Sequence, residues 1–383
     1  MIDDEVVLKV GSKSFRGWSD YSIDSDMLQA ADNFTMKLGG AGRAEMALLE
    51  LDAEVEVYMG ETRVLSGFLE DRTPVSSRDG GNVITIGGRD RAGRLLDEAC
   101  ELISFNNLGL LDLVQLVAGP WFSSIVTSNA TNRRLLGGRG ARMGKITKEP
   151  AIATGPNPDR KVQPGESRWQ VIEHWASEAE VLVWAAADGR TLVIGLPNYA
   201  QAPSFRFFHP AESSPRAAEA NLQDFQLHES VGDRFSKMVA VGLGTDFKRD
   251  GGDGSRYISV RGEATDGPGE HGIGKTFRQR KVGMVVDSDL KTQKQALRRA
   301  IREMAERDGA GISLEIQVAG HSQLIAGSRT PTLYAVDAMA HVESEHWGIS
   351  GDWLITKRTF RRSRGAGRTT TMTLVPKGTT LRI

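Results

Sequence analysis

The sequence predicts a β-rich α+β protein with two similar small β-barrel modules, a small α+β middle domain and one long amphipathic helix. Glycine is abundant, at 43 of 383 residues, and without a collagen-like period this excess over the usual ~7% indicates many tight turns between short strands. Several segments alternate apolar with polar residues, which is typical of half-buried strands. A chain of this length is also too long for one compact core.

Composition excludes several classes of protein. The formal net charge is -1, so the chain as a whole has no electrostatic attraction to DNA or to an anionic membrane. The single cysteine, Cys100, rules out an internal disulfide framework and is best interpreted as a small core residue. Because the first residues are acidic and no apolar run approaches the ~20 residues of a membrane span, we expect a soluble protein without a membrane anchor, made in a reducing cytoplasm.

Residues 1–97 are predicted to form the first β-barrel module. The segment "AEVEVYMG" alternates with a period of two, and "TRVLSGFLEDRTP" and "GGNVITIGG" form a strand pair. The two strands of that pair are joined through Asp79-Gly80, a strong turn signal. A short helix is predicted to follow from Ala92 to Asp97.

Residues 98–200 are predicted to form the α+β middle domain. Helices are expected near 107–117 and 167–180, followed by a hairpin at 181–195 that turns at Asp188-Gly189. Trp169, Ile172, Ala176 and Ala179 share one face of the second helix. Between 127 and 164 the periodicity is lost and the composition is that of loops.

Residues 201–245 and 311–383 are predicted to form the second β-barrel module. The intervening residues, 246–310, are predicted to be a loop followed by a long helix at 288–308. Ser288 or Asp289 is the expected N-cap, and the helix is expected to end at Gly309. The predicted apolar face of this helix consists of Leu290, Leu297, Ala300, Ile301 and Met304.

The same pattern recurs at the two ends of the chain. "GFLEDRTPVSSRDGGNVITIGG" and "GDWLITKRTFRRSRGAGRTTTMTLVPKG" each begin with glycine and an apolar pair, turn through a glycine-rich connection and return along an alternating strand. Another alternating strand precedes each of them. We interpret this as an internal duplication, with ordinary hairpin chemistry as the alternative.

The second copy of the pattern carries a cluster of basic residues. Four of its arginines are candidates for a subunit interface or a channel wall: Arg358, Arg361, Arg362 and Arg364. We expect Met372 and Leu374 to face inward, and the arginines, with Thr371 and Thr373, to face outward. Sites that bind single-stranded nucleic acid interleave aromatic with basic residues. Here Phe360 is the only aromatic residue among the basic ones, which disfavours a binding site for nucleic acid.

The segment "GEHGIGKT", Gly269 to Thr276, fits the phosphate-loop pattern. A working phosphate loop lies directly between a strand and a helix. The strand upstream ends near Arg261, and the residues downstream have no helical apolar face. A nucleotide hydrolase that uses Lys275 and Thr276 therefore remains only an alternative, as does a β-domain that binds nucleic acid or carbohydrate.

Other polar clusters do not indicate catalysis. In "HVESEHW", His341, Glu343 and Glu345 would share one strand face while His346 points the other way, so the four do not converge on a metal. We find no Ser–His–Asp order typical of a catalytic triad and no pair of carboxylates whose setting indicates catalysis. The sequence predicts no catalytic, cofactor or metal residues, and we expect a protein that is not an enzyme.

The order of these segments resembles the baseplate hub proteins, or 43-kDa tail proteins, of Mu-like contractile-tailed phages, and more distantly the T4-type hub. The resemblance is carried by "TIGGRDRAGRLLDEAC", "RWQVIEHWASEAEVLVWAAADGRTLVIG", "SKMVAVGLG", the arginine-rich helix before "LEIQVAGHS", and the final hairpin. It extends over nearly the whole chain but does not map the loops 127–164 and 246–285.

The resemblance implies a homotrimer with pseudo-sixfold symmetry, in which each chain contributes two similar β-barrels. Such a hub adapts the hexameric tail tube to the trimeric central spike. It leaves a channel for the tape-measure protein and for DNA. The implied location is the baseplate of a virion tail that is assembled in the bacterial cytoplasm, in a phage, a prophage remnant or an injection device.

Overall fold

The structure is a computed structural model of all 383 residues. It describes residues 5–78, 81–102, 109–128, 162–179, 181–243, 259–265, 281–287, 290, 292–325, 328–379 and 381. The chain divides into two compact units. Unit 1 comprises Met1–Phe225 and Glu315–Leu374, together with Ile383, and unit 2 comprises Gln226–Leu314 and Val375–Arg382.

Strands dominate the described residues. In chain order they are β1 Val6–Val10, β2 Lys13–Phe15, β3 Asp20–Asp26, β4 Asn33–Gly39, β5 Glu54–Met59, β6 Thr62–Ser77, β7 Gly81–Asp90, β8 Ser124–Thr127, β9 Leu182–Ala185, β10 Thr191–Gly195, β11 Phe205–His209, β12 Asp224–Glu229, β13 Lys237–Leu243, β14 Ser259–Thr265, β15 Val282–Val286, β16 Ile312–Ala319, β17 Ser322–Gln323, β18 Thr332–Leu333, β19 Ala338–Ser344, β20 Ile349–Ser363 and β21 Gly367–Pro376.

Helices are few among the described residues. They are α1 Arg43–Leu48, α2 Ala92–Asp97, α3 Leu110–Ala118, α4 Arg168–Glu178 and α5 Gln293–Ala310, with a 3-10 turn at Ala217–Glu219. None of the described helices is both long and apolar enough to cross a membrane. The β-rich α+β class predicted from the sequence is therefore confirmed.

Thirteen of the described strands form one large sheet. Its order is β12-β16-β21-β20-β3-β4-β7-β6-β5-β1-β2, and β19 and β11 extend from β20 beside this path. Strand β20 joins the two halves of the sheet. Its first part pairs with β19, as in Ile355 opposite Ala338, and its second part pairs with β3, from Lys357 opposite Asp26 to Arg362 opposite Tyr21.

The two halves of this sheet have the same strand order. The first half runs β3-β4-β7-β6-β5-β1, and the second runs β12-β16-β21-β20-β19-β11. Taken in chain order, β1, β3, β4, β5, β6 and β7 correspond to β11, β12, β16, β19, β20 and β21. One pairing differs, because β1 is antiparallel to β5 whereas β11 is parallel to β19. The common order supports the duplication predicted from the sequence.

Backbone details repeat at corresponding positions. Asp52 and Asp337 are the two non-glycine residues with positive φ among the described residues, at 68° and 56°. The N–H of Asp52 donates to the carbonyl of Leu69 at 2.7 Å, and that of Asp337 donates to Ile355 at 2.9 Å. Positive φ is strained for a residue with a Cβ, although Asp tolerates it better than most. Its recurrence at two equivalent bends indicates a common origin.

Glycines repeat in the same way. Gly40 and Gly320 end β4 and β16 with φ of 71° and 74°. The N–H of Gly40 donates to Asn82 at 2.8 Å, and that of Gly320 donates to Arg368 at 2.9 Å. Both positions require the left-handed backbone conformation that glycine adopts without steric cost.

The prediction of two barrels is not confirmed. The described strands of both halves belong to one sheet that does not close, because β20 is long enough to pair with its own half and with β3 of the other half. A second difference concerns the range 201–245. Strand β13 lies in a separate three-stranded sheet, β14-β13-β15, and not with the C-terminal strands. The predicted domain boundaries otherwise remain a prediction.

The middle of the chain forms a small α+β layer within unit 1. Its core packs α2, α3 and α4 against β8, β9 and β10, around buried Trp169, Ile172 and Trp175. Ser167 caps α4, because its side chain accepts from the N–H of Gln170 at 3.2 Å. Cys100 is a buried residue of this core, as predicted, and burial raises the pKa of its thiol.

Unit 2 packs α5 against the β14-β13-β15 sheet. A Cβ at Gly262 would lie 2.1 Å from the backbone nitrogen of Leu297, so glycine permits the close approach of β14 to the helix. The helix begins after Thr292, whose side chain accepts from the N–H of Gln295, and not at 288 as predicted. The predicted caps Ser288 and Asp289 lie outside the described residues.

The predicted apolar face of α5 is partly wrong. Leu297 and Ile301 are exposed, whereas Glu303 and Glu306 are buried. The buried acids pair with arginines on the same helix, Arg307 to Glu303 at 2.7 Å and Arg302 to Glu306 at 2.6 Å. Because long arginine stems shield these pairs, simple periodicity assigned the face incorrectly.

Candidate functional site

The basic hairpin predicted from the sequence is β20–β21. Met372 and Leu374 of β21 are completely buried, and Thr371 and Thr373, which alternate with them, are half-buried. The strand therefore alternates as expected for one face against a core.

The four candidate arginines divide into two groups. Arg361, Arg362 and Arg364 are exposed near the tip of the hairpin, as predicted. Arg358 is 1% exposed, so the expectation that it faces outward is wrong. It lies opposite Ser25 of β3, and this strand covers a position that the sequence pattern alone leaves at the surface.

Arg358 has an unusual environment for a guanidinium group. The group lies 3.8 Å from the centre of the Phe360 ring, a favourable cation–π geometry. Burial lowers the pKa of Arg358 to about 10, and the charges of Asp32 and Asp24 partly offset this effect. Its Nε and Nη2 atoms are buried without a hydrogen-bond partner. Because burying a charge carries a desolvation cost, the burial of Arg358 is weak evidence that this residue stabilises the fold.

Two buried acids, Asp32 and Asp90, lie near the pairing of β3 with β20, which we call the junction. Asp32 accepts from the N–H of Asp26 at 2.9 Å, and its own carbonyl accepts from the N–H of Asp90 at 2.9 Å. The Asp90 carboxylate accepts from the N–H of Ala92 at 2.9 Å, at the start of α2. Burial raises the pKa of both carboxyl groups, and the Asp32 charge raises that of Asp90 further. These acids anchor loops and a helix start.

His321 connects the two halves of the sheet through side chains. The Thr370 hydroxyl donates to the Gly320 carbonyl at 2.6 Å, so it accepts from the His321 Nδ1–H at 3.0 Å. The Tyr21 hydroxyl then donates to His321 Nε2 at 2.8 Å. Burial lowers the pKa of His321 to about 3, and the Arg358 charge adds to this effect. The ring is therefore neutral and structural at physiological pH.

The other sequence candidates are held by ordinary polar contacts. His341 Nδ1 lies 2.9 Å from the Asp352 carboxylate, and Glu343 accepts from Arg216 at 2.6 Å. In the part of the chain that the structure describes, no group of three or more His, Cys, Asp or Glu residues is placed to hold a metal. The GEHGIGKT segment, with Lys275 and Thr276, lies outside the described residues.

Sequence reasoning missed the buried junction itself. Asp32, Asp90, His321 and Tyr21 come together only through pairing across the sheet, and no local motif marks them. The duplication offered one signal. When the two hairpins are aligned so that their turns coincide, Arg72-Thr73 corresponds to Arg358-Thr359. The geometry at the junction is that of packing and hydrogen bonding within the chain.

A family model and several solved structures match this chain. Residues 5–90 match the family model of the N-terminal domain of the Mu phage baseplate assembly protein GpP-like family. No curated protein sequence matches.

The structural matches extend over almost the whole chain. A tail protein from Neisseria meningitidis MC58 is 22% identical, with a TM-score of 0.76, over 98% of this chain and 97% of that one. The 43-kDa tail protein of prophage MuSo2 from Shewanella oneidensis is 19% identical, with a TM-score of 0.72, over 98% and 99% of the two chains.

A more distant match is a type VI secretion system component of E. coli. It is described as structurally similar to the T4 bacteriophage tail proteins gp27 and gp5. It is 11% identical, with a TM-score of 0.53, over 98% of this chain and 78% of that one. Residues 5–90 are therefore similar to the N-terminal domain of the Mu phage baseplate GpP-like family, and the whole chain shares the fold of the Neisseria tail protein and the MuSo2 prophage tail protein.

Proposed function

We propose that this protein is the structural baseplate hub of a contractile phage or prophage tail. In this role it acts as a homotrimer with pseudo-sixfold symmetry, and it adapts the hexameric tail tube to the trimeric central spike. The observation that carries the proposal is the strand order shared by the two halves of the large sheet. The match of residues 5–90 to a phage baseplate family supports the same role.

The duplication gives this role a physical basis. A sixfold tube and a threefold spike share no symmetric interface, unless a component between them presents six similar surfaces on one side and three on the other. Three copies of a chain with two related modules present six such surfaces in a closed ring. Unit 2 and the middle α+β layer occur once in each chain. In a trimer they are therefore present three times, and they give the ring its threefold character.

The partners follow from this arrangement. The hub binds the tail tube protein on its sixfold side and the central spike protein on its threefold side. A central channel lets the tape-measure protein and later the DNA pass. Arg361, Arg362 and Arg364 are exposed on one hairpin, and we assign them to a subunit contact or to the channel wall. The buried Arg358 is not part of that surface. The assembled protein resides in the virion baseplate and is built in the bacterial cytoplasm.

The stoichiometry of the purified protein tests this proposal. Native mass spectrometry, alone and after mixing with the tail tube and spike proteins of the same tail, is expected to give particles that contain three copies of this chain. A chain that remains a single copy under all these conditions would contradict the hub role. Binding of one partner protein to a monomer would contradict it as well.

A further inference from the structure

One strand edge in the first half of the sheet has no partner among the described residues. Strand β6 pairs with β5 along its first part and with β7 along its second part. The outer edge of residues 71–76 pairs with no described strand. The corresponding residues of β20, 357–362, pair on that same edge with β3. An equivalent edge is therefore occupied in one half and open in the other.

A second strand is open in the complementary way. Strand β12 ends the large sheet and pairs only with β16 among the described strands, whereas its counterpart β3 pairs with both β4 and β20. The alternate residues Tyr21 and Ile23 of β3 are buried. Their counterparts in β12, Phe225 and Leu227, are only half-buried. An uncovered edge strand with partly exposed apolar residues is a template for strand addition.

We infer that these two open edges bind each other between copies of this chain. Residues 71–76 of β6 in one copy pair antiparallel with β12 of the next copy, in the way that β20 pairs with β3 inside each chain. This inference rests on the proposed function, because the contact is head-to-tail and needs a closed ring to satisfy every edge. The ring then consists of six modules joined by one type of strand pairing, three times within chains and three times between them.

Matched hydrogen bonds define the register of this contact. The N–H of Ser19 donates to Lys37 at 2.9 Å, just before β3, and that of Gln223 donates to Gln317 at 2.7 Å, just before β12. This equivalence aligns Asp20 with Asp224, and therefore Ser25 with Glu229.

The hairpins align from their turns, because β7 and β21 both have 10 residues and begin at glycines with φ of 66° and 72°. Arg72 thus corresponds to Arg358. Since Arg358 lies opposite Ser25, Arg72 lies opposite Glu229 of the next copy.

The chemistry of the paired residues is complementary. The inferred register places the cation Arg72 opposite the anion Glu229, and an opposite-charge pair across an antiparallel ladder is favourable. It also places Leu227 opposite Pro74, as Ile23 lies opposite Phe360 inside the chain. Pro74 is exposed and has no N–H, so it contributes its side chain and carbonyl but no donated hydrogen bond to a neighbouring strand. Arg72 is already oriented by donating to the carbonyls of Met46 and Leu49, both at 2.7 Å.

Disulfide trapping tests the pairing directly. The register places Thr73 opposite His228 of the next copy, as Thr359 lies opposite Asp24, and both side chains are exposed. Directly opposite residues of an antiparallel pair have Cα atoms about 4.5–5.5 Å apart, which lies within the range of roughly 4.4–6.8 Å that a disulfide spans. Full-length protein with Thr73→Cys and His228→Cys is expected to form covalent dimers and trimers on oxidation, seen on a non-reducing gel. The matched control, Thr73→Cys with Leu227→Cys, presents its second cysteine on the other face of β12 and is expected to form at least ten-fold less.

Charge exchange provides a second readout on the same contact. Glu229→Arg alone is expected to weaken trimer formation about ten-fold, as measured by mass at decreasing protein concentration. The double variant Glu229→Arg with Arg72→Glu is expected to form more trimer than Arg72→Glu alone, since both lose the hydrogen bonds to Met46 and Leu49 and only the double variant regains an opposite-charge pair.

Two outcomes separate this inference from the proposed function. If native mass spectrometry gives a trimer but the Thr73–His228 pair forms no more disulfide than its control, the strand pairing is wrong and the hub role stands. If no trimer forms in any mixture with the tube and spike proteins, the proposed function fails, and this inference fails with it.

Discussion

The two hairpins of this protein follow the same path but have different surroundings. Hairpin β20–β21 is covered along its second part by β3, which buries Arg358 and Phe360. Hairpin β6–β7 carries Arg72 and Pro74 at the same positions, where Arg72 is half-buried and Pro74 is exposed. The difference does not originate in the hairpins themselves. It arises because the chain supplies a neighbouring strand for the second hairpin and, among its described residues, none for the first.

The covered hairpin displays, within one chain, a strand contact that the first hairpin lacks among the described residues. In the proposed ring, a neighbouring copy supplies that contact. An exposed strand edge is normally an aggregation hazard. A hazard that recurs at complementary places on one chain is resolved when copies close into a ring.

The largest expected effect separates the two hairpins by stability. Phe360 is completely buried, so Phe360→Ala is expected to lower the free energy of unfolding by ~3–5 kcal/mol. Its counterpart Pro74 is exposed, and Pro74→Ala is expected to change that free energy by less than about 0.5 kcal/mol in the isolated chain. Chemical denaturation of both variants measures the contrast. Equal effects would show that the two hairpins have the same surroundings.

The next effect concerns acid stability and His321, which occupies the position of Ala41 in the first half. Folded His321 stays neutral down to a pKa of about 3, whereas in the unfolded chain it takes up a proton below about pH 6.5. The unfolded state therefore binds more protons in this window. Stability is complete above pH 6.5 and falls as the pH drops toward 3, by up to about 1.4 kcal/mol per pH unit from this group.

The variant His321→Gln isolates this contribution. It retains a polar side chain without a titrating ring, and its melting temperature is expected to fall less than that of the wild type between pH 6.5 and 4.5. Ala41→Ser in the first half serves as the matched control, with the wild-type pH dependence. Parallel curves for the wild type and His321→Gln would dismiss the contribution of the buried ring.

A smaller effect distinguishes the two strained aspartates. Asp337 is buried, and its Oδ1 accepts from the N–H of Asn198 at 3.2 Å, so Asp337→Gly is expected to cost about 1–2 kcal/mol through the lost acceptor. Asp52 is exposed and forms an ion pair with Arg94. Asp52→Gly is expected to be neutral or slightly stabilising, because glycine relieves the positive φ and exposed ion pairs contribute little. Thermal unfolding of both variants tests the order, and a costlier Asp52→Gly would reverse it.

The smallest effect on stability is expected at the tip of the basic hairpin. Replacing exposed Arg361 and Arg364 with Glu is expected to change the free energy of unfolding by less than about 0.5 kcal/mol. The same change is expected to reduce trimer formation or tail assembly, since it reverses charge at a proposed contact. Normal assembly by the charge-reversed protein would remove these arginines from the interface.

The sequence predicted the elements of this fold better than their partners. Alternation and turn residues located β5, β6, β7, β20 and β21, and the spacing of apolar residues located α4. These signals are local. The outward orientation of Arg358 was predicted wrongly, and closure into barrels is not confirmed. Both depend on β3, a strand more than 300 positions away from β20 in the chain.

The long helix shows a second limit of sequence reasoning. Leu297 and Ile301 belong to the predicted apolar face and are exposed, while Glu303 is buried beneath Arg299 and Arg307. Hydrophobic periodicity assumes that charged residues face solvent. Paired charges with long aliphatic stems violate that assumption, and only the packing of β14 on the helix reveals it.

Electron cryomicroscopy of the purified assembled particle will show whether each chain places two related modules in one ring. If one chain supplies two related modules to a closed ring, the images will show three copies of the chain and six similar β-modules, each related to the next by a rotation of about 60°. A particle whose two modules lie at unrelated angles, or whose copies close with a symmetry other than threefold, would contradict the account.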